Sequence, residues 1–385
     1  MANNQKTLTI GILAGEASGD NLGQGLMREL SVREKVKFVG VGGPKMCAEG
    51  LECLFDMDLL SVNGFREPLR RLPQLIRLFL QLLRDFEKHQ IDAFVGVDFN
   101  VFNLLLEKRL KRRGVTTVHY VSPSVYSWRR GRVKRIGQSA DRILTLYPFE
   151  PELYLGHKVD AVFVGHPMAD AISTEAGDKF AQTTARKKLG LAEEVPIIAL
   201  LPGSRSSEIK LMGDLLLSAA DHLQKALSNV VFVVPCISTK IKSKMDELLQ
   251  FHETLNVKLI RADARQALTA ADAALVKSGT STLEAMLLRK TMVVTYKLGA
   301  LTGWFAKKVL KLPYVGLPNI LAGRMLVPEL LQGDAHPASL AKALLMEMEK
   351  NNNSDEYSSF CVSQHDQLRQ NASARAAEAV LEVIQ

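Results

Sequence analysis

Two short stretches in the second half of the chain carry the residue types that hold a diphosphate. After the apolar run Ile197–Leu201 comes Pro202-Gly203-Ser204-Arg205. Gly203 lets backbone approach a ligand closely, Ser204 brings a hydroxyl, and Arg205 brings a planar fork that matches phosphate oxygens two at a time. On its own the segment reads equally as a tight turn with a surface arginine. The second stretch, "KSGTSTLEAML", passes from a strand through Ser278, Gly279 and Thr280 into a helix, whose open N–H groups and positive dipole end attract anions. Glu284 falls one turn after Thr280 on the same face, placed to accept from ribose hydroxyls. The bland alternative is that Thr280 or Ser281 caps the helix and Glu284 completes a capping box. Taken together, the two stretches favour a diphosphate-bearing nucleotide.

The kind of nucleotide chemistry is narrowed by what is absent and by the N-terminal loop. No GxxxxGK[ST] occurs, which argues against a P-loop ATPase, and Gly40-Val41-Gly42-Gly43 lacks the later glycine of a dinucleotide fingerprint. Near the N-terminus "LTIGILAGEASGD" runs from an apolar strand into a glycine-containing turn, but the turn holds Glu16, Ser18 and Asp20. Those residues suit the hydroxyls of an acceptor or of a reacting sugar better than a phosphate. A sugar-nucleotide enzyme is the expectation, with the nucleotide on the C-terminal side and the acceptor on the N-terminal side.

These loops need elements to carry them, and the apolar runs supply a series. Strands are predicted at Thr7–Leu13, Lys37–Val41, Ala93–Val97, Thr116–Val121, Arg142–Leu146 and Ala161–Val164. A largely polar stretch follows at 171–195. A second series begins at Ile197–Leu201 and continues through Val230–Val234, Val257–Ile260, Ala273–Val276 and Met292–Thr295. Helical patterns separate most of them, so the class is α/β with two parallel-sheet domains. The expected domains are 1–172 and 173–345, with 346–385 helical; by fold-level analogy alone, that segment returns to the N-terminal domain, and exchange in a homodimer would look the same from the sequence. In such sheets ligands bind beyond the carboxyl ends of the strands, where every loop singled out above lies.

Composition bounds the partners. The 385 residues and 47% hydrophobic content suit two domains with sizeable cores. No apolar stretch approaches the roughly 20 residues that span a bilayer, and Met1–Lys6 is polar, so neither a membrane span nor an export signal is expected. The four cysteines, Cys47, Cys53, Cys236 and Cys361, lack zinc-site spacing and read as reduced cytoplasmic thiols. A net charge of +8 calls for an anionic partner. Lys108–Arg113 and Arg129–Arg135 together carry ten positive charges, but the aromatics beside them, Tyr120, Tyr126 and Trp128, form no RNA-binding signature, and nucleic acid is not expected.

The motifs "AGEASGD", "GVGGPKM", "HYVSPSVYSWRRGRVKRI", "FVGHPMAD", "LLPGSRSSEI", "SGTSTLEAML" and "YVGLPNILAGR", in this order over nearly the whole length, resemble the lipid-A-disaccharide synthase family. The resemblance implies the GT-B architecture, two Rossmann-like parallel-sheet domains facing an interdomain cleft, and an inverting, metal-independent glycosyltransferase. Its substrates would be UDP-2,3-diacylglucosamine and 2,3-diacylglucosamine 1-phosphate. By that resemblance Asp98, which ends the strand "AFVGVD", is the base; otherwise it reads as a helix N-cap. The family pattern is close to D-A-P-D-F-N, whereas this chain has "DFNVFN", so Val101 stands in place of the second aspartate. Asn319 matches the family's "GLPNILAGR" and is expected to reach the donor; it joins Gly203, Ser204, Arg205, Ser278, Gly279, Thr280 and Glu284. No metal or cofactor is expected: Asp56-Met57-Asp58 has DxD spacing but lies outside these loops. His119 and His166, at strand ends, read as hydrogen-bonded structural residues.

Amphiphilic substrates require contact with a membrane surface. From Leu69 onward a helical stretch combines Leu69, Leu72, Leu75, Ile76 and Phe79 with Arg70, Arg71 and Arg77, a composition suited to an anionic lipid interface. A core helix whose arginines reach water has the same composition. "GWFAKKVLKLPYVG", from Gly303, is a second basic and apolar stretch. The expected location is cytoplasmic, peripheral to the inner membrane. Two rivals stay open at this level: another GT-B enzyme on UDP-sugars, such as an epimerase or a transferase to another acceptor, and a UDP-sugar-binding protein without turnover.

Overall fold

The computed structural model describes residues 7–60, 67–123, 133–297 and 313–384. They form two compact units, Met1–Asp170 with Gln367–Gln385, and Ala171–Asp366. The first holds β1 (Leu8–Ala14), α1 (Ala17–Arg33), β2 (Val36–Val41), α2 (Pro44–Ala48), β3 (Leu51–Cys53), α3 (Glu67–Lys88), β4 (Ala93–Val97), α4 (Asn100–Lys111), β5 (Thr116–Tyr120), β6 (Arg142–Thr145) and β7 (Asp160–Phe163). Its seven strands pair in parallel in the order β3-β2-β1-β4-β5-β6-β7. The second unit holds β8 (Ile197–Leu201), β9 (Val231–Pro235), β10 (Val257–Ile260), β11 (Ala273–Lys277), β12 (Thr291–Tyr296) and β13 (Glu329–Leu331). Its sheet is parallel too, in the order β10-β9-β8-β11-β12-β13.

The central strands are apolar throughout because helices cover both faces. All five residues of β4 and of β8 are buried, which leaves no polar alternation for solvent. In each sheet the strand order reverses once, between β1 and β4 and between β8 and β11. Loops leaving adjacent strands diverge there to opposite faces, and the crevice between them is where such sheets bind ligands.

The eleven strands read from the sequence all form, with ends moved by at most one residue. The edge strands β3 and β13, of three residues each, carry too short a pattern to be read. The α3 helix buries Leu78, Leu82, Leu83 and Phe86 in the core formed with Leu13, Val39, Phe94 and Leu106. Its opposite side exposes Leu72, Ile76 and Leu80.

Two expectations are corrected here. Cys47 and Cys53 are not separate thiols: α2 and β3 bring their Cα atoms to 6.7 Å and a disulfide joins them, while Cys236 and Cys361 are free and buried. The 346–385 segment is divided, and only its last part belongs with the N-terminal unit. Tyr357 donates to the Lys290 carbonyl at 3.0 Å and His365 meets the Ile172 carbonyl at 3.1 Å, which fixes the chain to the second unit as far as Asp366. The last helix, Ala372–Ile384, then joins the first unit, where Asp170 accepts from the backbone N–H of Asn371 and Ala372 and Arg142 donates to the Ala379 carbonyl at 2.8 Å. Among the described residues no helix is long and apolar enough to cross a membrane.

Candidate active site

In the first unit the switch point brings the β1–α1 loop beside the end of β4. Asp98 and Phe99 have φ of 52° and 47°, the left-handed region, which costs a non-glycine residue of order 1–3 kcal/mol each. Neighbours enforce it: the Asp98 N–H donates to the Tyr120 carbonyl and Asn103 Nδ2 donates to the Asp98 carbonyl, each at 2.8 Å. Gly15 is required beneath, since a Cβ there would lie 2.5 Å from the Phe99 ring. The turn aims the Asp98 carboxylate at the β1–α1 loop, where Ser18 Oγ donates to Oδ2 at 3.3 Å and Asn100 Nδ2 donates to Oδ1 at 3.4 Å. Asp98 is no N-cap, because α4 begins after Phe99 without a side-chain cap. Glu16 caps α1 through its backbone position and lines the same space.

From Asp98 and Glu16 a cavity of 680 Å³ runs between α3 and α4. Leu72, Ile76, Phe79, Val101, Phe102 and Leu105 make its walls, and Arg109 closes its lining. Val101 is 77% exposed and Ile76 51%, so this apolar surface is open to a ligand and not folded into the core. Leu75 lines it as well, and Arg77 is exposed on α3. The side chains of Leu69, Arg70 and Arg71, the 298–312 part of the second basic stretch, and Tyr126, Trp128 and Arg129 lie outside the described residues. Of the basic residues at the end of α4 and just after it, Lys111 pairs with Asp141 at 3.0 Å and Arg113 with Glu87 at 3.2 Å.

Asp20 is corrected. It is buried, and its carboxylate accepts from the backbone N–H of Gly43, Lys45 and Met46 at 2.9 to 3.1 Å. It holds the N-terminus of α2 and is not available to sugar hydroxyls. His166 accepts from the Met168 N–H at Nδ1, and burial pushes it down to about 4, so it is a neutral packing residue. Asp56 takes the Asp58 N–H in a local turn.

In the second unit the loops after β8 and β11 lie side by side because those strands are neighbours. Gly203 has φ of 119°, and a Cβ there would meet Glu208 Oε2 at 2.3 Å, so only glycine fits. Glu208 was not visible as a site residue in the sequence. Its Oε2 accepts from the N–H of Ser204 and Arg205 at 3.0 and 3.2 Å, and its Oε1 accepts from Lys277 Nζ at 3.0 Å. Burial alone would raise the Glu208 carboxyl, but the bond and charge of Lys277 with the two amides hold it below its ordinary value. Lys277, also missed, ends β11 with its ammonium 5.1 Å from the centre of the Tyr296 ring. Arg205 is exposed beside this cluster.

The helix Thr280–Leu287 starts after Gly279 with no side-chain cap; the Thr282 N–H donates to the Gly279 carbonyl at 3.0 Å, and Gly279 and Thr280 are exposed at its N-terminus. The capping-box alternative is therefore not what forms. Ser278 Oγ donates to the Val315 carbonyl at 3.0 Å. Glu284 is raised by burial and lies 3.5 Å from Arg265. In geometry this half is a glycine-lined anion cradle with an arginine, a lysine and a helix N-terminus.

Asn319 is the other correction. It is fully buried; Nδ2 donates to the Val327 carbonyl and Glu329 Oε1, both at 2.8 Å, while Oδ1 accepts from the N–H of Leu326 and Val327 at 2.7 and 2.9 Å. Both donors and both lone pairs are spent, so the amide has nothing for a donor sugar. Its work is to hold the 315–329 loop that receives Ser278. Asn319→Ala is expected to cost about 2–4 kcal/mol by orphaning buried partners, read as a lower urea midpoint at unchanged slope. A midpoint equal to wild type would refute this structural role.

Two parallel Rossmann-like sheets, each with its polar residues gathered at a switch point, give the chain the GT-B architecture. Its fold is shared by MurG of Acinetobacter baumannii (TM-score 0.56, 12% identity, 98% of this chain and 99% of that one) and by Anabaena Alr3699/HepE in complex with UDP and glucose (0.56, 13%, 98% and 99%). The sequence pattern described as lipid-A-disaccharide synthetase matches residues 10–383. The lipid-A-disaccharide synthase of Methylobacillus flagellatus is 44% identical over 379 residues, covering 98% of this chain and 99% of its own. That of Pseudomonas syringae pv. syringae is 45% identical over 378 residues, covering 98% and 97%. The chain belongs to the lipid-A-disaccharide synthase family.

Proposed function

We propose that the protein transfers the diacylglucosaminyl group of UDP-2,3-diacylglucosamine to the 6-hydroxyl of 2,3-diacylglucosamine 1-phosphate. The anomeric carbon inverts, and the products are the β-1,6-linked disaccharide 1-phosphate and UDP. Asp98 takes the proton of the attacking hydroxyl as the new C–O bond forms. The bond from the anomeric carbon to the diphosphate breaks, and Arg205, Lys277 and the N–H groups at Gly279–Thr280 stabilise the departing charge. Ser18 and Glu16 receive sugar hydroxyls, and Glu284 the ribose. The observation that carries this reading is the apolar cavity that begins at the Asp98 carboxylate: an acylated acceptor needs its chain housed where its hydroxyl meets the base. Neither an epimerase nor a transferase to a soluble acceptor needs such a trough.

The exposed side of α3, with Leu72, Ile76 and Arg77 and with Leu69, Arg70 and Arg71 before them in the sequence, is the proposed contact with an anionic membrane surface, and the proposed location is peripheral, on the cytoplasmic face of the inner membrane. The test is release of UDP from the diacylated donor in mixed micelles with EDTA. Release that depends on the acceptor is expected; release without it would replace the transferase by a hydrolase. Leu105→Glu, on the α4 wall of the cavity and outside the proposed membrane contact, should raise the acceptor KM by about tenfold or more while the donor KM stays put, since it places a charge against a chain worth about 0.8 kcal/mol per buried methylene. An unchanged acceptor KM would remove the cavity from the acceptor site.

A further inference from the structure

We infer that Glu107 and His119 are positioning residues for the base: they lock the amide of Asn100 so that its NH2 group faces Asp98. The inference rests on the reading of Asp98 as base. Four side chains stand in a row. Glu107 Oε1 on α4 is 2.6 Å from His119 Nδ1 on β5, His119 Nε2 is 3.0 Å from Asn100 Oδ1, and Asn100 Nδ2 reaches Asp98 Oδ1. Glu107 and His119 are both fully buried, and the backbone makes room for them: His119 pairs across the sheet with Gly96, where a Cβ would lie 2.2 Å from Glu107 Oε1.

Proton accounting gives the row a direction. Full burial disfavours a net charge on the Glu107–His119 pair and raises the Glu107 carboxyl. A neutral pair holds one proton in the short contact at Nδ1 and a second on His119 Nε2, whichever atom of the short contact carries the first. Nε2 therefore donates, and Asn100 Oδ1 accepts. A flipped Asn100 amide would set its NH2 against the Nε2 hydrogen and its oxygen against the Asp98 carboxylate, both repulsive. The pair thus permits only the orientation that donates to the base. Its burial is costly, with Glu107 Oε2 lacking a hydrogen-bond partner among the described residues, and an apolar pair of equal volume would serve packing as well. Orientation of Asn100 is what an apolar pair would not supply.

The test compares His119→Phe, His119→Gln, Asn100→Ala and the double variant Asn100→Ala/His119→Phe, with Asp98→Ala as control, for the full chain with both micellar substrates. His119→Phe should lower kcat by about 10- to 100-fold with both KM values near wild type, as expected for a misplaced reacting group. His119→Gln, whose amide can donate to Asn100, should recover most of that loss. The double variant should be no slower than Asn100→Ala alone, because the two act as one unit. Wild-type kcat in His119→Phe, or losses that multiply in the double variant, would overturn the inference. Should His119→Phe fail to fold by its thermal melt, Asn100→Ala decides: it leaves the buried pair in place, must lose kcat if the inference holds, and overturns it by keeping kcat. An active Asp98→Ala would instead remove the base and this inference with it, whereas an inactive Asp98→Ala beside fully active Asn100 and His119 variants would remove the inference alone.

Discussion

Asp98→Asn is expected to lower kcat by about 10³-fold, the middle of the range for loss of a general base, with little change in either KM. Asparagine keeps the size of the side chain and can still meet Ser18, so binding geometry persists while the proton has no acceptor. Stability should hold, because asparagine tolerates the left-handed backbone that residue 98 adopts as well as aspartate does. The measurement is the initial rate of UDP formation with both substrates varied, alongside a thermal melt. A substantial residual kcat would leave the fold and family as they stand and return the base to Glu16. Asp20, the other acid of that loop, is not a candidate, since three backbone N–H groups occupy its carboxylate.

The contrast between Glu16 and Asp20 shows where the sequence stops being legible. Buried parallel strands are readable because both faces are covered and the pattern is a plain apolar run, as in "AFVGV" and "IIALL". Glycine-rich loops after such runs are readable for the same reason, and Arg205 and Thr280 emerge from them. A polar side chain in a loop is different, since the same residue type serves a ligand or a backbone. Asp20 and Asn319 are spent on N–H and carbonyl groups more than five positions away in sequence, contacts that spacing does not announce. The Lys277–Glu208 pair depends on β8 and β11 being neighbours, although β9 and β10 intervene in the chain. Likewise Glu107 and His119 meet only once α4 is laid on β5. The disulfide between Cys47 and Cys53 needs the turn from α2 into β3, which was not visible because β3 is so short.

Arg205→Ala should lower kcat by about 10²-fold or more, with Arg205→Lys recovering only part of it. The reason lies in how the cradle is already committed. Glu208 engages the Ser204 and Arg205 amides and the Lys277 ammonium, so a carboxylate now sits on donors that a diphosphate would also use. Arg205 is exposed beside that carboxylate, and a guanidinium fork matches two phosphate oxygens at once. Charge on the diphosphate grows as the glycosidic bond breaks, so an interaction with it strengthens toward the transition state and its loss falls more on kcat than on the donor KM. Lysine restores the charge but not the two parallel N–H groups. Inhibition by the product UDP, measured in the same variants, separates the cases: a weaker UDP inhibition together with a lower kcat places Arg205 on the diphosphate. An unchanged kcat with unchanged UDP inhibition would leave Arg205 a surface residue of a tight turn and shift the diphosphate to Lys277 and the Gly279–Thr280 amides.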